Sequence, residues 1–475
     1  MKLIFRNHNE EYAVKEILTA HIPKIKPDIC DEIPEDEDYL LTEVSESGND
    51  YYYKCELRIN DKNYQKSISR TQYSKTHIKR VINSVLKDAL GTDLPWGLIT
   101  GIRPSKIVRE MSENGISNGE IQKHFLDFYE CSAAKTKLAM EVAKNEHTLI
   151  STMPSNSISL YIGIPFCPTR CLYCSFTSQS IKFSSKLTKP YMDALVKEIK
   201  AVSQIVKSKK LIVDTVYIGG GTPSALSPFQ IDRLLKELFS NFDLSQTREF
   251  TFEAGRPDTI DVDKLNIIKD YGISRISINP QTMNKKTLDI IGRNHTPQDI
   301  ITTYELATKL GFNHINTDLI VGLPEENEAD FGHTLREIEK LNPQSVTVHT
   351  MSIKRGSYLD EKYCMYTMAA ANTVNNMLSM ASQSMETMGK IPYYMYRQKN
   401  MLGNLENVGY CDKGHECLYN IYIMEEVQSI YALGAGASTK IINGSRIERI
   451  FNVKEVSEYI NRIDEMIARK DILKA

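Results

Sequence analysis

Three cysteines with the spacing of cluster ligands lie near the middle of the chain, at Cys167, Cys171 and Cys174. Cysteine thiolates are the usual ligands of iron–sulfur clusters, and a four-iron cube has four corners, of which this segment could hold three. The fourth iron would then be open to a small chelating molecule, and the amino and carboxylate groups of S-adenosylmethionine suit that role. The spacing therefore predicts a [4Fe–4S] cluster whose open iron binds S-adenosylmethionine.

Zinc is the alternative metal for the same thiols. Structural zinc normally has four ligands in two pairs, and no fourth cysteine or histidine is close to this segment in the sequence. The cluster is therefore the favoured interpretation. Cys411 and Cys417 lie on either side of His415 and could also hold a metal, but their spacing matches no common site, so we interpret them as structural.

The cysteines follow the first of six strand-like segments that alternate with helix-length segments, a pattern typical of βα units and a parallel sheet. The predicted strands are Ile158–Phe166, Thr215–Gly219, Glu249–Ala254, Arg275–Asn279, His314–Val321 and Ser345–Thr350. Six repeats predict a partial (β/α)6 TIM-like barrel, in which functional residues collect at the carboxyl ends of the strands. The three cysteines and the glycines that begin at Gly219 fall at such ends.

The chain has 475 residues, which allows about three domains. We predict an α/β protein with an N-terminal α+β domain at 1–155, the partial barrel at 156–365 and a mostly helical C-terminal domain at 366–475. The sequence assigns no role to residues 1–155.

The charge balance excludes a strong overall attraction to nucleic acid. The 58 basic and 60 acidic residues give a net charge of −2. A local excess of lysine between Lys182 and Lys210 is interpreted as a solvated helix face. The sequence shows no apolar segment long enough for a membrane span or a signal peptide, so a cytoplasmic location is expected.

The CxxxCxxC pattern, with Tyr173 before its last cysteine, resembles the radical S-adenosylmethionine superfamily. The segments Tyr161–Cys167, Gly219–Ser224 and Asn316–Pro324, with a late Gly-Ala-Gly-Ala, are similar to the oxygen-independent coproporphyrinogen III oxidase family. The long N-terminal extension and the segment Trp96–Pro104 resemble the HemZ-type coproporphyrinogen dehydrogenase branch of that family.

The resemblance implies a [4Fe–4S] cluster on the three cysteines and a set of contacts to S-adenosylmethionine. The implied contact residues are Tyr161, Tyr173, Gly220, Gly221, Thr222, Glu253, Gln281, Arg293 and Asp318. Some of these positions also have a physical interpretation. Glycines let the backbone come close to a cofactor, and polar side chains on otherwise apolar strands need hydrogen-bonding partners.

The implied reaction is oxidative decarboxylation of two propionates of coproporphyrinogen III to vinyl groups, which gives protoporphyrinogen IX in porphyrin and haem biosynthesis. The resemblance also implies an electron donor of flavodoxin or ferredoxin type and a separate electron acceptor. A substrate with four carboxylates should need cationic clamps. Arg355, Arg397 and Lys399 are the candidates, the last two in a tyrosine-rich segment.

Two positions depart from the pattern of the oxidases and leave other functions open. Gly163 stands where the family commonly has histidine, and Ser175-Phe176-Thr177 follows Cys174 where the well-studied oxidases have another cysteine. The second feature resembles the haem chaperone branch of the family. A haem chaperone and a radical enzyme that opens the haem ring by methylation are therefore the alternatives.

Overall fold

The computed structural model describes residues 1–23, 25–101, 103–176, 179–398, 401–444 and 446–474. The chain forms two compact units. The N-terminal unit comprises Met1–Glu141, Ala370–Asn375 and Tyr396–Glu406, and the barrel unit comprises Val142–Ala369, Asn376–Met395 and Asn407–Ala475. The region 366–475, predicted as a third domain, coincides with neither unit, because it is divided between the two.

The N-terminal unit is an α+β structure built on a five-stranded sheet. Its strands are β1 (Lys2–Arg6), β2 (Asp28–Ile29), β3 (Tyr39–Ser47), β4 (Asp50–Ile59) and β5 (Lys62–Arg70), in the order β2-β1-β3-β4-β5. Strands β1 and β3 are parallel, whereas β3, β4 and β5 form an antiparallel meander. The helices that begin here are α1 (Glu11–His21), α2 (Lys75–Leu90), α3 (Pro104–Glu113), α4 (Asn118–Lys123) and α5 (Ala133–Ile150).

Local signals explain the bounds of α2, which packs on this sheet. The Ser74 side chain accepts a hydrogen bond from the backbone of Thr76 at the start, and Gly91 ends the helix with a left-handed conformation (φ 65°). Between these residues, side chains such as Ile78, Ile82 and Val85 are buried in the core of the unit.

The barrel unit contains the predicted βα repeats. Its parallel strands are β6 (Ser157–Ile164), β9 (Ile212–Gly220), β10 (Glu249–Gly255), β11 (Arg275–Ile278), β12 (His314–Val321) and β13 (Ser345–Thr350), and two short strands, β7 (Phe166–Cys167) and β8 (Gln179–Ser180), lie between β6 and β9 in the chain. The six long strands are neighbours in chain order, and each pairs in parallel with the next. The prediction of six βα strands is confirmed, with β12 and β13 at the predicted bounds.

Helices separate these strands in the chain and follow the last of them. They are α6 (Ile181–Ser208), α7 (Pro228–Asn241), α8 (Val262–Asp270), α9 (Lys285–Ile290), α10 (Pro297–Lys309), α11 (Glu328–Leu341), α12 (Tyr358–Glu361), α13 (Ala371–Thr387), α14 (Leu418–Glu425), α15 (Val456–Asn461) and α16 (Ile463–Arg469). Among the described residues, no helix has both the length and the apolar character that crossing a membrane requires.

Alternation along each strand separates an apolar outer face from a polar inner face. On β10, Phe250, Phe252 and Ala254 belong to the main core, whereas Glu249 and Glu253 have the opposite side-chain direction. The other parallel strands follow the same period. Their inner-face residues include Ser159, Tyr161, Gly163, Thr215, Tyr217, Gly219, Arg275, Ser277, Asn316, Asp318, Thr347 and His349. The partial barrel therefore has a polar interior.

Besides its helices, the described part of the C-terminal region contains strands that the sequence analysis did not predict. Five strands lie there: β14 (Ile391–Tyr396), β15 (Asn407–Cys411), β16 (Ser429–Leu433), β17 (Ser438–Asn443) and β18 (Arg446–Phe451). Strand β16 pairs in parallel with β6, and β15 pairs antiparallel with β13, so both edges of the barrel sheet are extended. These short strands depend on pairing with distant strands, which local sequence periodicity does not reveal.

Candidate active site

The cysteine segment leaves the carboxyl end of β6 and is fixed by several hydrogen bonds. We name residues 166–174 the cysteine loop. Cys171 is buried, and Cys167 and Cys174 are partly exposed. The backbone N–H of Leu172 donates to the carbonyl of Ile291 (3.0 Å), and the hydroxyl of Thr169 donates to the carbonyl of Gly292 (2.9 Å). The loop is thus anchored to the segment that follows α9.

The three thiols are close enough to affect one another's ionisation. Burial raises the pKa of Cys174, and the neighbouring thiols Cys171 and Cys167 add to this effect. Among the described residues, no group of three or more Cys, His, Asp or Glu side chains is placed to hold a single ion.

The glycine turn Gly219–Gly221 packs directly against the cysteine loop. A Cβ on Gly221 would lie 2.6 Å from the carbonyl oxygen of Phe166, and Gly220 has φ 108°, which side chains rarely adopt. The N–H groups of Gly221 and Thr222 donate to the carbonyls of Ile164 (2.8 Å) and Phe166 (2.7 Å). Only glycine lets the end of β9 come this close, so the turn forms one wall beside the thiols.

Two further predicted residues lie at this wall. The hydroxyl of Thr222 donates to the Sγ of Cys167 (3.4 Å). The hydroxyl oxygen of Tyr161 lies 3.3 Å from where a Cβ of Gly220 would be. Tyr161 is therefore beside the glycine turn, as the sequence comparison implied, although its contact with a cofactor stays a prediction.

Glu253 is a buried carboxyl on the inner face of β10. Its Oε1 accepts a hydrogen bond from the hydroxyl of Tyr217, on the neighbouring strand β9. Burial raises the pKa of Glu253 to about 7, helped by the negative charge of Asp318 and opposed by the hydrogen bond from Tyr217. This carboxyl can therefore exist in either protonation state near neutral pH.

Asp318 lies across the interior on β12 and is held by polar neighbours. Asn316 donates to its Oδ1 (2.8 Å), and the Nε2 of His349 lies 3.8 Å from its Oδ2. Burial opposes ionisation of Asp318, but hydrogen bonds, chiefly from His349, outweigh it and lower the pKa. Asp318 is therefore a fixed negative charge, in contrast to Glu253.

Gln281 and Arg293 connect this interior to the cysteine loop. Gln281 has a left-handed backbone (φ 68°), and its N–H donates to the carbonyl of Asp318 (2.9 Å). The buried guanidinium of Arg293 donates to the carbonyl of Asn279 (2.7 Å) and to the hydroxyl of Tyr173 (3.3 Å). The buried Nε of Arg293 has no hydrogen-bond partner among the described residues. An unsatisfied buried donor beside the thiols fits a site that receives a polar ligand.

The two substrate candidates that the structure describes, Arg355 and Arg397, belong to different units. Arg355 is exposed in the loop after β13. Arg397 lies in the N-terminal unit, where it is 2% exposed and donates to the carbonyls of Ile99 and Asn404. The contacts do not support the prediction that Arg397 clamps a substrate, because the side chain is buried and its Nη1 and Nη2 donate to backbone carbonyls. Lys399 lies outside the described residues.

Several interior residues were missed by the sequence analysis. Tyr217 stacks on Tyr419 of α14 with ring centroids 4.6 Å apart, and Tyr161 lies beside both rings. Tyr217 could have been found, since it precedes Gly219 by two residues on the same strand. No local signal marks Tyr419, which reaches this layer from the C-terminal region.

Arg256 was also missed, and it supports the cysteine loop from outside the interior. It follows β10 directly and is 3% exposed. Its Nη1 donates to the hydroxyl (2.8 Å) and the carbonyl (3.2 Å) of Thr169, while Nε and Nη2 donate to the carboxylate of Asp258 (2.9 and 2.8 Å). Because its guanidinium binds both Asp258 and Thr169, Arg256 fixes the middle of the cysteine loop.

The second cysteine pair has a structural role. The thiol of Cys417 donates to Glu249 (3.3 Å), and the same carboxylate accepts from the N–H groups of Leu418 (2.7 Å) and Tyr419 (3.3 Å) at the start of α14. A carboxylate at a helix amino terminus stabilises the helix. Glu249 and Cys417 thus hold the start of α14 at the amino end of β10.

Comparison with known proteins agrees with this geometry. Residues 161–338 match the model of the radical SAM superfamily. Over 401 residues the chain is 39% identical to the oxygen-independent coproporphyrinogen-III oxidase-like protein HemZ of Bacillus subtilis, with 83% of this chain and 80% of HemZ covered. The chain belongs to the HemZ-type, oxygen-independent coproporphyrinogen III oxidase-like family of radical SAM proteins. This membership implies a [4Fe–4S] cluster and S-adenosylmethionine as cofactors, in agreement with the prediction.

Other relatives in the family carry two different names. The haem chaperone HemW of Bacillus subtilis is 34% identical over 200 residues, which cover 41% of this chain and 51% of HemW. The oxygen-independent coproporphyrinogen III oxidase of Escherichia coli is 32% identical over 199 residues, which cover 42% of this chain and 43% of the oxidase. The solved structure of that oxidase, HemN, superimposes with a TM-score of 0.55 at 23% identity over 68% of this chain and 73% of HemN, which supports the fold.

Proposed function

We propose that the protein catalyses the anaerobic oxidative decarboxylation of coproporphyrinogen III, converting two propionates to vinyl groups. The observation that supports this most is the extent of the match to the oxidase-like HemZ. It covers 83% of the chain, so it extends beyond the superfamily region at 161–338.

The residues of the chain have distinct roles in this proposal. Cys167, Cys171 and Cys174 hold the cluster, and Gly220 and Gly221 bring the backbone of β9 close to it. When bound, the cluster and S-adenosylmethionine supply the radical that removes a hydrogen atom from the substrate. The polar interior of the partial barrel orients the cofactor through a second set of side chains, namely Tyr161, Tyr173, Thr222, Glu253, Gln281, Arg293 and Asp318.

The substrate would enter at the carboxyl ends of the strands. Glu249 and Cys417 hold the start of α14 at the amino end of β10, and the rings of Tyr217 and Tyr419 stack in the interior. Arg355, in the loop after β13, is the remaining candidate in the described residues for binding a propionate, and Lys399 stays a prediction. The carboxyl end of a βα barrel is where such sites collect.

The test is turnover by the anaerobically reconstituted protein. With S-adenosylmethionine, a reductant and coproporphyrinogen III, we expect 5′-deoxyadenosine, carbon dioxide and a tetrapyrrole that has gained vinyl groups, measured by mass spectrometry. The matched control is Cys30→Ala, which removes a thiol of the N-terminal unit, compared with Cys171→Ala. Cofactor cleavage without any vinyl product from this substrate would contradict the proposed reaction.

A haem chaperone is the second candidate, and one observation favours it. The cysteine loop continues with Ser175 and the 56% exposed Phe176, where the sequence comparison gives the oxidases a further cysteine and the haem chaperone branch a similar loop. This function would show as stoichiometric haem binding and transfer to an apoprotein without loss of propionate. The ring-opening alternative would show instead as a methylated linear tetrapyrrole in the same assay.

A further inference from the structure

A substrate that carries several carboxylates needs a cation near the place where it reacts, and the structure offers one that the sequence analysis did not single out. Lys354 lies four residues beyond the end of β13, in the turn that precedes α12. We propose that the ammonium group of Lys354 binds a propionate of the substrate and so selects a carboxylated tetrapyrrole. This inference rests on the proposed tetrapyrrole substrate and adds the residue that recognises its charge.

Hydrogen bonds hold this turn against the cysteine loop. The Nη2 of Arg170 donates to the carbonyl of Gly356 (2.6 Å), two residues after Lys354, and to the carbonyl of Cys174 (3.4 Å). Lys354 and the Cys174 thiol are also close enough to interact electrostatically. Burial lowers the pKa of Lys354, and this thiol acts in the opposite direction. Lys354 therefore lies beside a predicted cluster ligand at the carboxyl end of the strands, where sites of βα barrels collect.

The two cations of this region have no acidic partner in the part of the chain that the structure describes. Lys354 is half-buried, whereas its neighbour Arg355 is exposed. Among the described residues, Lys354 forms no ion pair and its Nζ donates no hydrogen bond. Arg170 forms no ion pair with them either, and its buried Nε has no hydrogen-bond partner there. Because a cation removed from water needs a compensating anion, these groups favour an anionic ligand, unlike a lysine on a solvated helix face.

Exposed aromatic rings lie beside these cations. The guanidinium of Arg170 lies over the ring of Tyr358, 4.5 Å from its centroid, and 42% of Tyr358 is exposed. Phe176 is exposed two residues after Cys174. Pyrrole rings pack on aromatic side chains while their propionates reach cationic groups. The combination fits a large carboxylated ring better than a small inorganic anion, which has no apolar surface to bury.

The charge of Lys354 indicates which kind of propionate it binds. The reacting propionate loses its carboxylate as carbon dioxide, so the negative charge of that group disappears during the reaction. A cation bound to it would stabilise the substrate more than the transition state and would slow the reaction. Lys354 is therefore suited to a propionate that the reaction leaves intact, and it contributes to substrate binding and not to the chemical step.

The test compares a charged and an uncharged porphyrin. The probes are coproporphyrin III, an oxidised analogue that is not turned over, and its tetraamide, which keeps the ring without the negative charges. Lys354→Met removes the ammonium group, and Lys354→Arg keeps a positive charge. The matched control is Lys309→Met, which removes an exposed lysine from the last turn of α10, before the amino end of β12. Fluorescence titration of each reconstituted full-length protein measures affinity, and thermal unfolding and iron content are measured in parallel.

We expect Lys354→Met to bind coproporphyrin III about tenfold more weakly, because a charge-assisted hydrogen bond is lost, and to bind the tetraamide as the unaltered protein does. Lys354→Arg should retain most of the affinity for coproporphyrin III, and the control should change it by less than about twofold. With coproporphyrinogen III, the KM of Lys354→Met should rise about tenfold while kcat stays nearly constant, since binding common to substrate and transition state is removed.

Equal weakening of both probes by Lys354→Met would overturn the proposal, because a purely structural role does not distinguish the charge of the ligand. A lower iron content with unchanged coproporphyrin III affinity would also overturn it and would assign Lys354 to the cluster. Vinyl product formed by Lys354→Met with unchanged KM would reject this inference and leave the proposed function intact. If the unaltered protein forms no vinyl product, the proposed function fails, and the same titrations with coproporphyrin III and with haem, which has two propionates, still decide the role of Lys354. Absence of porphyrin binding by the unaltered protein would reject both.

Discussion

Tyr217 donates a hydrogen bond to Glu253 from the neighbouring strand, inside the polar interior of the barrel. This hydrogen bond opposes the effect of burial on the pKa of the Glu253 carboxyl. Burial raises the pKa of Glu253 to about 7, and Tyr217 favours the ionised form. The proposed cofactor-binding carboxyl is therefore poised to change its charge near neutral pH, whereas Asp318 opposite stays ionised.

The first prediction concerns the pH dependence of cofactor binding. Below pH 7 the carboxyl of Glu253 is protonated and cannot attract the positively charged S-adenosylmethionine, so affinity should fall as the pH decreases through about 7 and level off above it. The slope should approach tenfold per pH unit if this group alone controls binding. Equilibrium dialysis of the cofactor from pH 5.5 to 8.5 measures the profile. Glu253→Gln should bind weakly and without this slope, and a slope shared by both proteins would assign the titration to the cofactor itself.

The second prediction concerns the cluster. Cys171→Ala removes the buried ligand of the three, so the reconstituted variant should lose the broad visible absorption of the cluster and most of its iron. Cys30→Ala should retain both, because that thiol lies in the N-terminal unit. Iron and zinc analysis of the two variants after anaerobic reconstitution is the measurement. Zinc bound in place of iron in the unaltered protein would contradict the cluster assignment.

The third prediction separates two glycines of the site. A Cβ on Gly221 would meet the carbonyl oxygen of Phe166 at 2.6 Å, whereas a Cβ on Gly163 would meet its nearest atoms at 3.4 to 3.6 Å, which is ordinary contact. Gly221→Ala should therefore destabilise the barrel unit by about 1–3 kcal/mol and impair cluster retention, since backbone must move. Gly163→Ala should behave like the unaltered protein in thermal unfolding and in iron content. Equal losses of thermal stability and iron in both variants would show that cluster retention does not depend on the close packing of the glycine turn.

Much of the site was predictable because its residues stand in local patterns. Strands β12 and β13 were predicted at their observed bounds from apolar runs, and the cysteine spacing and the glycine turn need no tertiary information. The inward direction of Tyr217 could be predicted as well, because side chains two residues apart on a strand, such as Tyr217 and Gly219, lie on the same face. These features depend on residues close together in the sequence, where periodicity is informative.

The remaining features depend on distant parts of the chain. Strand β16 exists because β6 offers an edge to pair with, and Tyr419 reaches Tyr217 because Glu249 caps the helix that carries it. Arg397 looked like a free cation beside tyrosines, yet backbone carbonyls of the N-terminal unit surround it. None of these partners can be identified from neighbouring residues, so the sequence alone predicted helices and a substrate clamp instead.

The last prediction concerns Arg256, which supports the cysteine loop without touching a thiol in the contacts described. Arg256 and Arg248 flank β10 at its two ends, and each donates two hydrogen bonds to one aspartate, Asp258 or Asp214. Lysine keeps the charge but cannot reproduce a two-pronged contact, so either substitution should cost stability, on the order of 1–3 kcal/mol. Only Arg256 also holds Thr169, in the middle of the loop.

Arg256→Lys should therefore release iron to a chelator several times faster than the unaltered protein, whereas Arg248→Lys should lose comparable thermal stability with unchanged iron release. The measurement is the rate of iron transfer to a chromogenic chelator at a temperature where both variants remain folded. If the two variants release iron at the same rate, Arg256 contributes only to the stability of the barrel. If Arg256→Lys alone is fast, the loop is held in its cluster-binding shape from the carboxyl end of β10, because no other difference between the two arginines acts on the thiols.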